Sequence, residues 1–135
     1  MDTLLVDPDV ARETAIVEDM ERLQGTWSFV SGIREAQMFL VGDRFTVAFN
    51  NGDLYHGIFT LDPTTQPRMM DMIIHEGPDK HRGKTSLCIY ELDGELLTWC
   101  PAEPGTGNRR REFPCKEDTH LLCVVFRRDK TRPKT

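Results

Sequence analysis

The sequence has no apolar run near the roughly 18 residues that a membrane-spanning helix needs. It also has no Cys-x-x-Cys, no His-x-His and no His-x-x-x-His pair. The first absence argues against a helical anchor, and the others remove common redox and zinc spacings, so no metal and no cofactor are expected. Basic charge is not in excess either. Seventeen Lys and Arg against 22 Asp and Glu leave a net charge of −5 and a pI near 5.3, which argues against nucleic acid as a partner. Asp2 and Asp7 stand where a secretory leader would carry bases, around a short apolar stretch, so a cytoplasmic location without membrane attachment is expected. In a reducing compartment Cys88, Cys100 and Cys123, which fall in strand patterns, read as small buried hydrophobes rather than disulfide partners or metal ligands. Cys115, in a polar loop, is the thiol expected to be reactive.

The 135 residues suffice for one core but not two. The expected organisation is a flexible arm over 1–9, a single domain over 10–128 and a basic tail over 129–135. Val10, Ile16, Val17, Met20 and Leu23 recur at helical spacing, predicting a helix over 10–23 with Asp9 as its N-cap. Leu23-Gln24-Gly25-Thr26-Trp27 then passes from helix to strand, with Gly25 allowing the sharp bend that lays Trp27 against the end of a sheet. Alternating patterns predict strands over 26–34, 37–41, 44–50, 53–61, 68–75, 85–92, 96–100 and 120–128. Asn50-Asn51-Gly52-Asp53 and Asp93-Gly94-Glu95 are hairpin turns, because Asn and Gly tolerate positive φ. The polar loop 76–84 is expected to be exposed and mobile, and the long connection 101–119 to be functional or loose. Sequential hairpins without intervening helices predict an all-β fold, an eight-stranded antiparallel up-and-down barrel with the helix capping one end.

The two-residue period places Trp27, Phe29, Ser31, Phe45, Phe49, Tyr55, Phe59, Met70, Met72, Tyr90, Trp99 and Phe126 on the inner face as candidate ligand contacts. Tyr55, Tyr90 and Ser31 are the polar groups available to orient a ligand. Large rings also fill an eight-stranded barrel efficiently, and the pattern leaves open whether the lumen is open or packed. Arg109, Arg110 and Arg111 form a basic run, with Arg109 the candidate for an anion at the mouth if it points inward and its neighbours outward. His56 and His75 fall on the outer face.

Five blocks in order carry a resemblance: Leu23 to Trp27, Gly42-Asp43-Arg44-Phe45-Thr46, Gly57 to Thr64, Ile89-Tyr90-Glu91-Leu92-Asp93-Gly94, and Arg109 to Phe113. Their order and spacing over about 21–128 are similar to those of a lipocalin-like domain family of uncharacterised bacterial proteins first catalogued in planctomycetes. The segment between Ser31 and Leu40 is shorter than usual for that family, and Arg110 replaces an expected proline. The resemblance implies a calycin-type barrel and brings no catalytic residues with it.

The reading for function is a monomeric or homodimeric carrier or sensor that binds a small apolar or aromatic molecule in the barrel. An alternative is a cyclase or isomerase acting on an enclosed apolar substrate, with a Tyr or an acid supplying one proton. A third is a protein-interaction domain with a filled core and an outer patch of Ile58, Met69 and Ile73.

Overall fold

The computed structural model describes residues 7–114 and 122–129. Its first element, α1 (Pro8–Leu23), begins two residues before the sequence pattern suggests. Proline lacks an N–H and has a helical φ, so Pro8 fits the first turn and Asp7 becomes the cap. The Asp7 carboxylate accepts from the Asp9 N–H at 2.8 Å. Only the C-terminal part of α1 is packed: Asp19 and Leu23 are buried, whereas Val10 and Val17 face solvent.

Eight strands follow: β1 (Gly25–Ser31), β2 (Ala36–Val41), β3 (Arg44–Phe49), β4 (Leu54–Asp62), β5 (Arg68–Glu76), β6 (Thr85–Asp93), β7 (Leu96–Cys100) and β8 (Val124–Arg128). Each pairs antiparallel with the next, and β8 returns to β1, giving a closed up-and-down barrel. Closure removes both sheet edges, leaving no exposed row of unpaired backbone groups. No helix among the described residues is long and apolar enough to cross a membrane.

Alternation holds along most strands. In β3, Phe45, Val47 and Phe49 point inward, and across the ladder Phe45 faces Gly57 while Val47 faces Tyr55. Gly57 cannot carry a side chain, because a Cβ there would lie 1.9 Å from the Ile73 carbonyl oxygen. The ladder to β5 slips at His56/Gly57 to allow that approach. A second slip, between Phe29 and Ser31, breaks the phase of β1. Phe29 stays half-buried against the core, while Ser31, expected inside, is exposed. In β2 the buried residues are Ala36, Met38 and Leu40, which extend the core beyond the predicted inner set.

One end of the barrel is closed by α1. Trp27 is fully buried, and its indole Nε1 donates to the Leu23 carbonyl at 2.8 Å. Arg128, its cross-strand partner, lies 4.5 Å over the indole ring and donates to the Gln24 carbonyl at 2.7 Å and to the Arg22 carbonyl. The Arg128 Nε also donates to Glu95 at 2.8 Å. Carbonyls at the C-terminal end of α1 and its cap are thus satisfied by a side chain of the last strand. Arg127 and Arg128 belong to β8, and the Asp129 N–H donates to the Thr26 carbonyl at 2.8 Å, which ties the first residue of the expected tail to β1. Asp19, 4 % exposed, accepts the Tyr90 hydroxyl at 2.7 Å and pairs with Arg22 and Arg68 at 3.4 and 3.5 Å. Two cations and a hydroxyl offset the desolvation of that carboxylate.

The cysteines do not follow the expectation of free buried thiols. Cys100 and Cys123 form a disulfide with Cα atoms 4.2 Å apart. They occupy the rung beyond the Trp99–Val124 pair, where antiparallel geometry already brings Cβ atoms together. The bond closes a separation of 23 residues, which in the chain-entropy account stabilises the fold by about 3 kcal/mol. Cys88 is a free thiol, and burial pushes its pKa up to about 12 against the smaller opposing effect of the Ser86 hydrogen bond. Cys115 lies outside the described residues. In a Cys115→Ser variant, thiol titration is expected to find no fast-reacting group in the native protein, one after denaturation, and three after reduction. Two or more thiols in the denatured, unreduced protein would contradict the Cys100–Cys123 bond.

Candidate ligand cavity at the open end

The end opposite α1 is built by the connections β1–β2, β3–β4 and β5–β6 and by the segment after β7. They leave a cavity of about 250 Å³. Its wall is apolar and formed by inward positions of the strands: Phe45, Val47 and Phe49 from β3, Met72 and Ile74 from β5, and Trp99 from β7. Ala102, Pro104 and Leu122 complete it, and Arg34, Tyr55, His81, Ser86, Glu103 and Arg110 supply its polar atoms.

The predicted inner-face residues therefore divide into two groups. Phe45, Phe49, Tyr55, Met72 and Trp99 line the cavity. Trp27, Phe59, Met70, Tyr90 and Phe126 are almost completely buried and are absent from its lining. Tyr90 is committed to Asp19 beneath the helix; burial first, and then that hydrogen bond, holds its pKa well above the ordinary tyrosine range. It is not available to orient a ligand, nor is the exposed Ser31, which the β1 slip turns out of the lumen. Phe29 packs at the margin of the core and not on the cavity.

The arginine run does not meet the condition under which Arg109 would receive an anion at the mouth. Arg109 turns outward, where it bonds Asp71 at 2.6 Å and the Cys88 carbonyl at 2.9 Å, because Asp71 on the outer face of β5 offers it a carboxylate. That clamp fixes the segment after β7 against the barrel wall and directs the next residue, Arg110, to the cavity. Closer to β7, the same segment continues the ladder along β6: the Ala102 N–H donates to the Leu87 carbonyl at 3.2 Å and the Gly105 N–H to the Thr85 carbonyl at 3.0 Å. The Ser86 hydroxyl donates to the Ala102 carbonyl at 2.8 Å.

The 77–84 connection is folded inward instead of exposed throughout. Pro78 accepts from the His81 and Arg82 N–H groups at 2.9 and 3.0 Å, and the Gly83 N–H donates to the Ile74 carbonyl at 2.8 Å. This turn drives His81 to 8 % exposure. Its Nδ1 lies 2.8 Å from the Tyr55 hydroxyl, and its Nε2 lies 2.8 Å from Glu103. Because Nε2 faces a carboxylate, it carries the proton in the neutral ring, and Nδ1 accepts from Tyr55. Burial, followed by the charge of Asp53, raises the Tyr55 pKa, so the residue stays a neutral phenol with oxygen lone pairs free of His81.

Sequence reasoning found the aromatic wall and missed His81, Glu103, Arg34 and Arg110. A polar loop reads as solvated unless its turn geometry is considered, and the Pro78-to-Gly83 spacing was the signal that it folds back. Nothing in the local pattern marks Arg34 or Glu103, whose approach depends on three separate connections. Among the described residues no group of three His, Cys, Asp or Glu side chains converges as a metal site would require.

Comparison with known proteins finds no matching family model, no matching curated protein and no matching solved structure.

Proposed function

We propose that the protein binds a small apolar or aromatic molecule in the cavity at the open end, as a lipocalin-like carrier or sensor. One observation carries this reading: a cavity of about 250 Å³ walled by aromatic and Met side chains, with a few polar side chains among its lining. Such a site removes the ligand's apolar surface from water and leaves a few fixed groups for orientation. Kinship with the planctomycete lipocalin-like proteins is part of the proposal and rests on the ordered sequence blocks. The place of work is part of it too. A Cys100–Cys123 disulfide favours an oxidising compartment over the cytoplasm expected from the N-terminal residues.

N-phenyl-1-naphthylamine, a neutral probe that brightens in apolar surroundings, is expected to bind one to one. Ala102→Phe, which fills the cavity, is expected to weaken binding by at least about tenfold, equivalent to about 1.4 kcal/mol. The exposed Val41→Ser is expected to leave it unchanged. Equal binding by the Ala102→Phe variant would contradict the placement, and no binding by the wild type would contradict the carrier reading.

The Tyr55–His81–Glu103 chain supports a second reading, an isomerase. In it the Tyr55 oxygen takes a proton from carbon beside a carbonyl while its own proton passes to His81 Nδ1. The resulting imidazolium is stabilised by Glu103, and returning the proton to another carbon completes an isomerisation. With 2-tetralone in deuterated water, this reading expects α-hydrogen exchange faster than with free imidazole at equal concentration, and loss of the excess in His81→Gln and Tyr55→Phe. Exchange no faster than with imidazole would contradict it.

A further inference from the structure

Four buried side-chain nitrogens lack a hydrogen-bond partner among the described residues, and three of them belong to residues lining the cavity: Arg34 Nη2, Trp99 Nε1 and Arg110 Nη1. Buried donors are ordinarily satisfied, and a guanidinium is the donor for which an absent acceptor matters most. Arg82, Arg109 and Arg128 each have a carboxylate. Arg110, by contrast, has no hydrogen bond and no ion pair among the described residues, although it is half-buried beside an apolar cavity. Arg34 is only partly compensated: its guanidinium lies 4.0 Å over the Phe49 ring, with Asp53 at 3.6 Å.

We infer that Arg110, with Arg34 as the second cation of the cavity, forms an anion subsite, and that the bound molecule is an organic acid with a compact apolar body. This rests on the cavity being the ligand site. The body would lie against Phe45, Phe49, Met72 and Trp99, with its carboxylate on the guanidinium fork, whose paired N–H groups match two carboxylate oxygens. The surrounding charges favour a monoanion over a phosphate. Asp53 already pairs with Arg34, and Glu103 borders the site, so a second negative charge would meet repulsion. Glu103 does not cancel the subsite, because its side chain is 66 % exposed and engaged by His81 at 2.8 Å. The volume limits the body to about two or three rings, given that a cavity of ~150 Å³ holds a benzene.

The test displaces N-phenyl-1-naphthylamine from the full chain with 2-naphthoate and with 2-naphthamide, which share one ring system and differ in charge. The acid is expected to compete at a concentration at least about tenfold lower, as one charge-assisted contact in a half-buried site allows. In Arg110→Gln the two are expected to compete alike, with circular dichroism confirming the fold. Arg34→Gln, a change at an independent position, is expected to narrow the gap as well. Equal competition by acid and amide on the wild type would overturn the subsite while leaving an apolar ligand site intact. An acid preference that survives both substitutions would also overturn it. Failure of the naphthylamine and both competitors to bind would overturn the cavity reading, and the subsite with it.

Discussion

Arg128 stacked on Trp27 is the contact on which the closed end depends. The two residues face one another across the β1–β8 ladder, where the last strand meets the first. The same guanidinium reaches the carbonyls of Arg22 and Gln24, so one side chain ties barrel closure to the end of the helix. The stacking alone is worth about 1 kcal/mol, and the charged hydrogen bonds add to it by satisfying the Arg22 and Gln24 carbonyls at the helix end. Gly25 is part of the arrangement. With φ at +122° it bends the chain from helix to strand within one residue, and only glycine adopts that conformation without strain. Trp27 can therefore lie under the helix end while Leu23 covers it.

From that contact the two ends of the barrel diverge. Below, Trp27, Phe59, Met70, Tyr90 and Phe126 fill the lumen, with Asp19 held among Tyr90, Arg22 and Arg68. Above, no helix among the described residues covers the strand ends. The inward residues there are framed by connections that bring polar side chains to the space, with His81 from one and Arg110 from another. An eight-stranded barrel is wide enough for side chains to fill or to hold one small ligand, and this chain does the first at one end while leaving room at the other. The Cys100–Cys123 bond lies at the open end, beside Pro101 and Leu122 of the cavity wall, and adds a covalent tie to the backbone ladder, the Ser86–Ala102 and His81–Glu103 contacts and the Arg109–Asp71 pair that hold the segment after β7.

The barrel itself was legible because its signals are local. Strict alternation in β3 and β4, Asn-Asn-Gly and Asp-Gly turns, and the Gly25-to-Trp27 entry each specify their own stretch of chain. The phase error at Ser31 arose because a bulge depends on the partner strand, which periodicity in one strand does not register. The polar half of the cavity was illegible for a related reason. Tyr55, His81 and Glu103 meet only once three elements are in register, and the directions of Arg109 and Arg110 are decided by a carboxylate 38 residues away in sequence. The disulfide escaped for want of a short Cys spacing, since its two halves become neighbours only through the β7–β8 ladder.

The central claim is that the lumen is closed at the helix end and open to ligand at the other, and methionine methyl resonances report on both ends at once. Met72 lines the cavity, whereas Met38 and Met70 are fully buried outside it. In protein carrying ¹³C-methyl methionine, titration with naphthalene is expected to shift the Met72 methyl signal in proportion to occupancy while Met38 and Met70 stay in place. Equal movement of all three, or no movement of Met72 at saturating naphthalene, would contradict the account.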